Sequence, residues 1–279
     1  MSTPHSASYP QLPDNHHAIF PEIGNKSDYK ARLEALQTQL TLIQQAYYHQ
    51  QRPALIILEG WDAAGKGGAI RRLTEKMDAR GVRVYPFGAP SEDEHRYHYL
   101  QRFVQRLPVR GQLVIFDRSY YGRVLVERVE QFASKDEWRR AYREINEMER
   151  MLSDDGIRIV KLFLHITPDE QLRRFSERLH NPAKRWKLTS EDIRNRARWD
   201  DYVRATNHMF RETHTDVAPW HIIPANHKWF ARTEVLATVA SCLSQGVDVS
   251  PPPLDEHVIR LAETELGLLL KDTTLSGKR

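Results

Sequence analysis

The chain has 279 residues and a mass of 32.6 kDa, long enough for one large domain with a substantial core. With 40% apolar and 28% charged residues it reads as a soluble globular protein, and no window reaches the ~18 uninterrupted apolar residues of a membrane span. The formal net charge of +4 is too small to name a partner, and the single cysteine, Cys242, excludes an intrachain disulfide and fits the cytoplasm. The N-terminus has no basic start followed by an apolar run, so no secretory signal is expected.

Residues 1–27 are rich in Pro, Ser and His without apolar periodicity and are expected to be a tail. From Asp28 to about Gln51, Leu33, Leu36, Leu40 and Ile43 recur at helical spacing. Short apolar runs then alternate with longer helical patterns: ALIIL at 54–58, VRVY at 82–85, LVIF at 113–116, IRIVKLFLH at 157–165 and WHII at 220–223. Five strands separated by helices predict an α/β fold, with a five-stranded parallel sheet between two helical layers. S/T-x-x-E capping boxes at Ser91–Glu94, Ser134–Glu137 and Thr167–Glu170 mark helix starts, including a helix over SEDEHRYHYLQRFVQRLP. Pro168 sits at a first helical position. The main domain is thus expected over 28–246, and 247–279 holds a linker and a last amphipathic helix at Leu254–Leu270.

Three stretches carry chemistry. LEGWDAAGKGGAI, Leu58–Ile70, follows the first strand and places Gly60, Gly65 and Lys66 on the phosphate-loop pattern G-x-x-x-x-G-K-[ST], but Gly67 replaces the hydroxyl residue. Backbone N–H groups of such a turn and the helix N-terminus hold phosphate oxygens, and Lys66 adds a point charge. Asp62 inside an anion-binding loop must face something positive or donate its negative charge to a reaction. Asp117 ends the third strand and is followed by Arg118; a carboxylate there suits Mg²⁺, so Asp62 and Asp117 are the candidate metal residues. The third stretch, RRFSERLHNPAKRWK, carries Arg173, Arg174, Arg178, Lys184, Arg185 and Lys187 against Glu177 alone. A lid there would bring cations to a transferring phosphoryl group, whereas a solvated helix face is the plainer alternative.

These stretches, together with APSEDE at 89–94, FDRSYYGRVLVERV at 116–129, RFSERLHNPAKRWKLTSED at 174–192 and APWHIIPANHKWFAR at 218–232, resemble the second family of polyphosphate kinases, whose fold is similar to that of thymidylate kinases. The likeness covers about residues 28–245, and in that family Asp inside the loop and Gly after its lysine belong to the pattern. It implies a P-loop kinase fold with a helical lid over 173–192, and Mg²⁺-dependent (or Mn²⁺-dependent) reversible phosphoryl transfer between inorganic polyphosphate and AMP, ADP, ATP or guanine nucleotides. It implies catalytic roles for Asp62, Lys66, Asp117, Arg118 and Arg178. Phosphate binding falls to Gly60, Ala63, Ala64, Gly65, Lys66, Gly67, Gly68 and Arg123. Arg71, Arg72, Lys184, Arg185 and Lys187 are weaker candidates for a polyphosphate track. Arg96, His98, Arg102 and the segment Tyr120–Arg123 are expected to meet the acceptor, with Gly122 leaving its wall open. A homodimer or homotetramer is implied, without nucleic acid or membrane. The competing readings are an ATP-dependent kinase of a small metabolite or nucleotide, and a non-catalytic polyanion binder.

Overall fold

The computed structural model describes residues 9–13 and 20–269. They form two compact units, Met1–Val249 and Ser250–Arg279. In the first, five parallel strands lie in the order β2-β3-β1-β4-β5: β1 Ala54–Gly60, β2 Val82–Pro86, β3 Leu113–Asp117, β4 Arg158–His165 and β5 Trp220–Pro224. All five expected strands are present, each within two residues of its apolar run. Residues 54–59 of β1 and 159–165 of β4 are buried without alternation, as strands covered on both faces must be. Helices α1 Lys26–His49, α2 Lys66–Thr74 and α9 Lys228–Ser244 pack together, and α4 Val126–Val129, α5 Lys135–Asp154 and α8 Trp199–Thr213 pack together. The core between them is built on the aliphatic residues of β1, β3 and β4 and closed by Phe163, Phe210 and Trp220.

The capping boxes have three different outcomes. Ser134–Glu137 closes in both directions and starts α5. Ser91–Glu94 also closes, but it leads only into a 3₁₀ turn at Glu94–Arg96. The expected helix over SEDEHRYHYLQRFVQRLP is therefore two pieces, that turn and the short α3 Gln101–Val104, because Tyr97 is extended. Thr167 caps α6 Pro168–His180, but only one half of its box forms. The Glu170 carboxylate is taken by Arg173 and Arg174, and the Thr167 N–H goes to Asn226 Oδ1 instead.

The expected lid has three parts. Arg173–His180 continue α6, residues 181–189 are irregular around a 3₁₀ turn at Arg185–Lys187, and α7 spans Ser190–Ala197. The second unit contains α10, Glu256–Leu266, inside the expected last helix; Leu270 lies outside the described residues, as do 1–8 and 14–19 of the expected tail. Among the described residues no helix is long and apolar enough to cross a membrane.

Candidate active site

The loop leaving β1 is shaped by its glycines. Gly60 has φ +142°, and a Cβ there would lie 2.4 Å from the Leu164 carbonyl oxygen, so only glycine lets β1 turn this close to β4. Gly65, at φ +109°, precedes α2, and no side chain caps that helix. Its first N–H groups thus remain available to an anion. Lys66 Nζ donates to Gly60 O at 2.7 Å and folds back over the loop. At Gly67 a Cβ would meet nothing within 4 Å, so its backbone is open to a close ligand. Trp61 Nε1–H donates to His165 Nδ1 at 2.9 Å, which ties the loop to the end of β4.

Asp62 does face a cation. Its Oδ1 accepts from Arg118 Nη2 at 3.1 Å and its Oδ2 from Asn195 Nδ2 at 2.8 Å. Asp117 lies at the end of β3 and makes no side-chain hydrogen bond among the described residues. Burial opposes the charge on Arg118, yet Asp62, Glu191, Glu59 and Asp117 outweigh it and hold the guanidinium above its ordinary value. Arg118 itself has φ +66°. Beneath it, Glu59 is buried, accepts from Ser119 Oγ at 2.7 Å, and is raised above the carboxylate range chiefly by burial.

Two recesses adjoin the loop and the end of β3. One, of about 220 Å³, runs from Ala63–Gly68 and is lined by Arg174, Arg178, Lys184, Lys187, Lys228 and Arg232 against Glu177. The hydrogen bond from Lys184, with Lys228 beside it, holds Glu177 down to about 2. The other, of about 300 Å³, lies beyond β2 and β3 and includes Phe87, Tyr99, Arg102, Arg118, Gly122, Arg123 and Arg194. A Cβ at Gly122 would meet only Val126 Cγ1, at 3.7 Å.

Not every expected contact belongs to these surfaces. Tyr120 and Tyr121 are buried, and both hydroxyls donate to Glu149 Oε1, so they anchor the turn after β3 and do not face an acceptor. Lys161 Nζ completes that anchor with bonds to Glu149, Tyr121 and the Thr213 carbonyl. Arg96 pairs with Asp93 and His98 with Glu144, outside both recesses; Arg102 and Arg123 are inside. Arg185 donates to the Leu179 carbonyl, and Arg71 and Arg72 lie outside the cationic recess. Arg174 is buried and braces the loop, donating to the carbonyls of Ala63, Ala64, Ala225 and Asn226. Arg178 Nη1 donates to Lys187 O at 2.9 Å and lies 3.8 Å from Asp192.

Asn195, Lys228 and Arg232 escaped the reading of the sequence. The two cations of α9 had a signal: four residues apart, they share one helix face beside the loop. Asn195 had none, since an amide in a polar helix does not announce its partner.

A parallel sheet with a glycine phosphate loop at the carboxyl end of β1, and an acid–arginine pair beside it, defines a P-loop phosphotransferase architecture. The model of the Polyphosphate kinase 2 (PPK2) family matches residues 24–248, and the chain belongs to that family. It is 47% identical over 215 residues to the polyphosphate:AMP phosphotransferase of Pseudomonas aeruginosa, covering 77% of this chain and 43% of that protein. It is 44% identical over 208 residues to the AMP/ADP-polyphosphate phosphotransferase of Meiothermus ruber, covering 74% and 78%. The structure of polyphosphate kinase 2 from Arthrobacter aurescens superposes with a TM-score of 0.81 at 36% identity, covering 87% and 88%. The chain spans less than half the length of the first curated relatives it matches. Phosphotransferases of this family are generally metal-dependent.

Proposed function

We propose that this chain transfers a phosphoryl group reversibly between inorganic polyphosphate and nucleotides, with AMP as its leading acceptor, ADP accepted as well, and guanine nucleotides as further candidates. The observation that carries this reading is the cationic recess continuous with the phosphate loop. Six cations against one carboxylate suit a long polyanion far better than a single nucleotide tail. The reading assigns residues 28–246 to the transfer, with 173–192 closing over it.

Lys66, Arg178 and the open N–H groups of the loop would bind the donor phosphates. Arg118, fixed by Asp62, would meet the charge that spreads over the transferring group. Asp117 has the hard oxygen donors that suit Mg²⁺, or Mn²⁺ in its place. Each oxygen of Asp62 accepts one hydrogen bond, from Arg118 or from Asn195, and keeps a second lone pair with which it would reach a metal directly or through water. Among the described residues no group of three or more acidic, His or Cys side chains could hold a metal, so phosphate oxygens and water would complete the shell. When bound, the ion would neutralise phosphate charge. The single cysteine supports a cytoplasmic setting, and family likeness supports a homodimer or homotetramer.

The deciding experiment incubates the protein with Mg²⁺, polyphosphate and each of AMP, ADP, GMP and GDP, and resolves the products by chromatography. ADP formed from AMP is the expected result. Turnover with ATP but none with polyphosphate would make it an ordinary kinase, and binding without turnover would make it a polyanion binder.

A further inference from the structure

The two recesses differ in their charge balance. On the donor side cations outnumber carboxylates, but on the acceptor side every arginine already has one. Arg102 lies 3.4 Å from Glu94, Arg123 3.1 Å from Glu127, Arg194 2.9 Å from Glu130, and Arg118 3.6 Å from Glu191. Little positive charge is left over for an incoming phosphate. Three of those four carboxylates come from segments preceding the lid, whereas Glu191 stands in the first turn of α7.

Glu191 also stands beside Arg118 on the wall of the recess assigned above to the acceptor. Arg118 lies between two carboxylates, with Nη2 on Asp62 and Nη1 toward Glu191. Glu191 is the partner on the acceptor side, and its side chain is 44% exposed while that of Asp62 is 13% exposed. An acceptor phosphate that engages Arg118 therefore does so beside a carboxylate. AMP places one phosphate there. ADP places its terminal phosphate at the reacting centre and carries a second within the same recess, adding negative charge beside Glu191. Like charges repel, and a site can select a ligand by repelling its competitor as well as by attracting it.

We propose that Glu191 is a specificity-determining residue that limits how many phosphates the acceptor brings, favouring a nucleoside monophosphate over a diphosphate. This rests on the transfer reaction proposed above and adds the group that grades its acceptors. Glu191 takes no part in bond making: it sets the electrostatic cost of the additional phosphate.

The test is Glu191→Gln, which keeps the shape and removes the charge, beside Glu191→Asp, which keeps the charge. Two readouts are taken on the full chain: the ratio of kcat/KM for ADP to that for AMP with polyphosphate and Mg²⁺, and the ratio of their dissociation constants by calorimetry without donor. In Glu191→Gln both ratios should move toward ADP, by roughly three- to tenfold at low salt and less at high salt, as an exposed charge is screened. Glu191→Asp should stay within about twofold of the parent. Equal ratios in Glu191→Gln and the parent would overturn the proposal. If the parent chain makes no product from polyphosphate, the transfer reading fails by itself, and the calorimetric ratio still decides the role of Glu191.

Discussion

Arg174 and Arg178 are four residues apart in one basic run, yet they do different jobs. Both line the recess, but Arg174 is buried under the phosphate loop on four backbone carbonyls, while Arg178 donates to the carbonyl of Lys187 alone among the described residues. Substitution separates them. Lys66→Ala, Asp117→Asn and Arg178→Ala should each lower turnover by about a hundredfold or more with melting unchanged, because lost electrostatic stabilisation of a phosphoryl transition state costs ~3 kcal/mol. Arg174→Ala should instead lower the melting temperature, since it leaves buried carbonyls without donors at a cost of about 1–3 kcal/mol each if unrelieved. Full activity in any two of the first three variants would overturn the assignment. His165 gives a pH dependence. Burial depresses its pKa to about 4, so its neutral form is favoured in the folded chain. Its contribution is complete above the unfolded value of about 6.5 and is lost as pH falls toward 4, at up to ~1.4 kcal/mol per pH unit. Urea unfolding at pH 7.5, 6 and 5 should show His165→Gln losing less stability than the parent over that range, as Gln does not titrate.

At the level of elements, the sheet was legible because strands buried on both faces appear as unbroken apolar runs, as ALIIL does in β1. The phosphate loop was legible because its glycines answer to backbone geometry, and Gly60 against Leu164 is such a case. The basic run was less so. Charge sign alone does not say whether a cation is solvated, braced or aimed at a ligand, and the lid dissolved into a helix end, an irregular stretch and α7. Lys184 and Lys187 line the recess and Arg185 does not. Neutralising Lys184 and Lys187 together should therefore weaken use of polyphosphate more than use of nucleotide, and flatten the salt dependence of the donor's apparent affinity. Arg185→Gln should change neither by more than about twofold. Equal losses for donor and acceptor in the double variant would point to a general part in closure. The recess proposed for the acceptor was hardest to read, because Glu94, Glu127, Glu130 and Glu191 are ordinary acids in sequence and only folding places each beside an arginine.

Across the whole molecule, a net charge of +4 conceals an internal separation, with cations in excess of carboxylates on one flank of the phosphate loop and arginines matched by carboxylates on the other. The strand order has a consequence of another kind. The central strand finds no neighbour near it in sequence: Ala54 pairs with Leu113 on one side and with Arg158 on the other. Such pairings must close long stretches of chain before any contact repays the loss of freedom, and they are slow to form. The turn at Gly60 leans on the backbone of Leu164. While the ribosome is still making the first half of the protein, the apolar β1 therefore waits without its partners. The phosphate loop gains its floor only after β4 has been synthesised, so the earliest part of the site in the sequence is among the last to take shape.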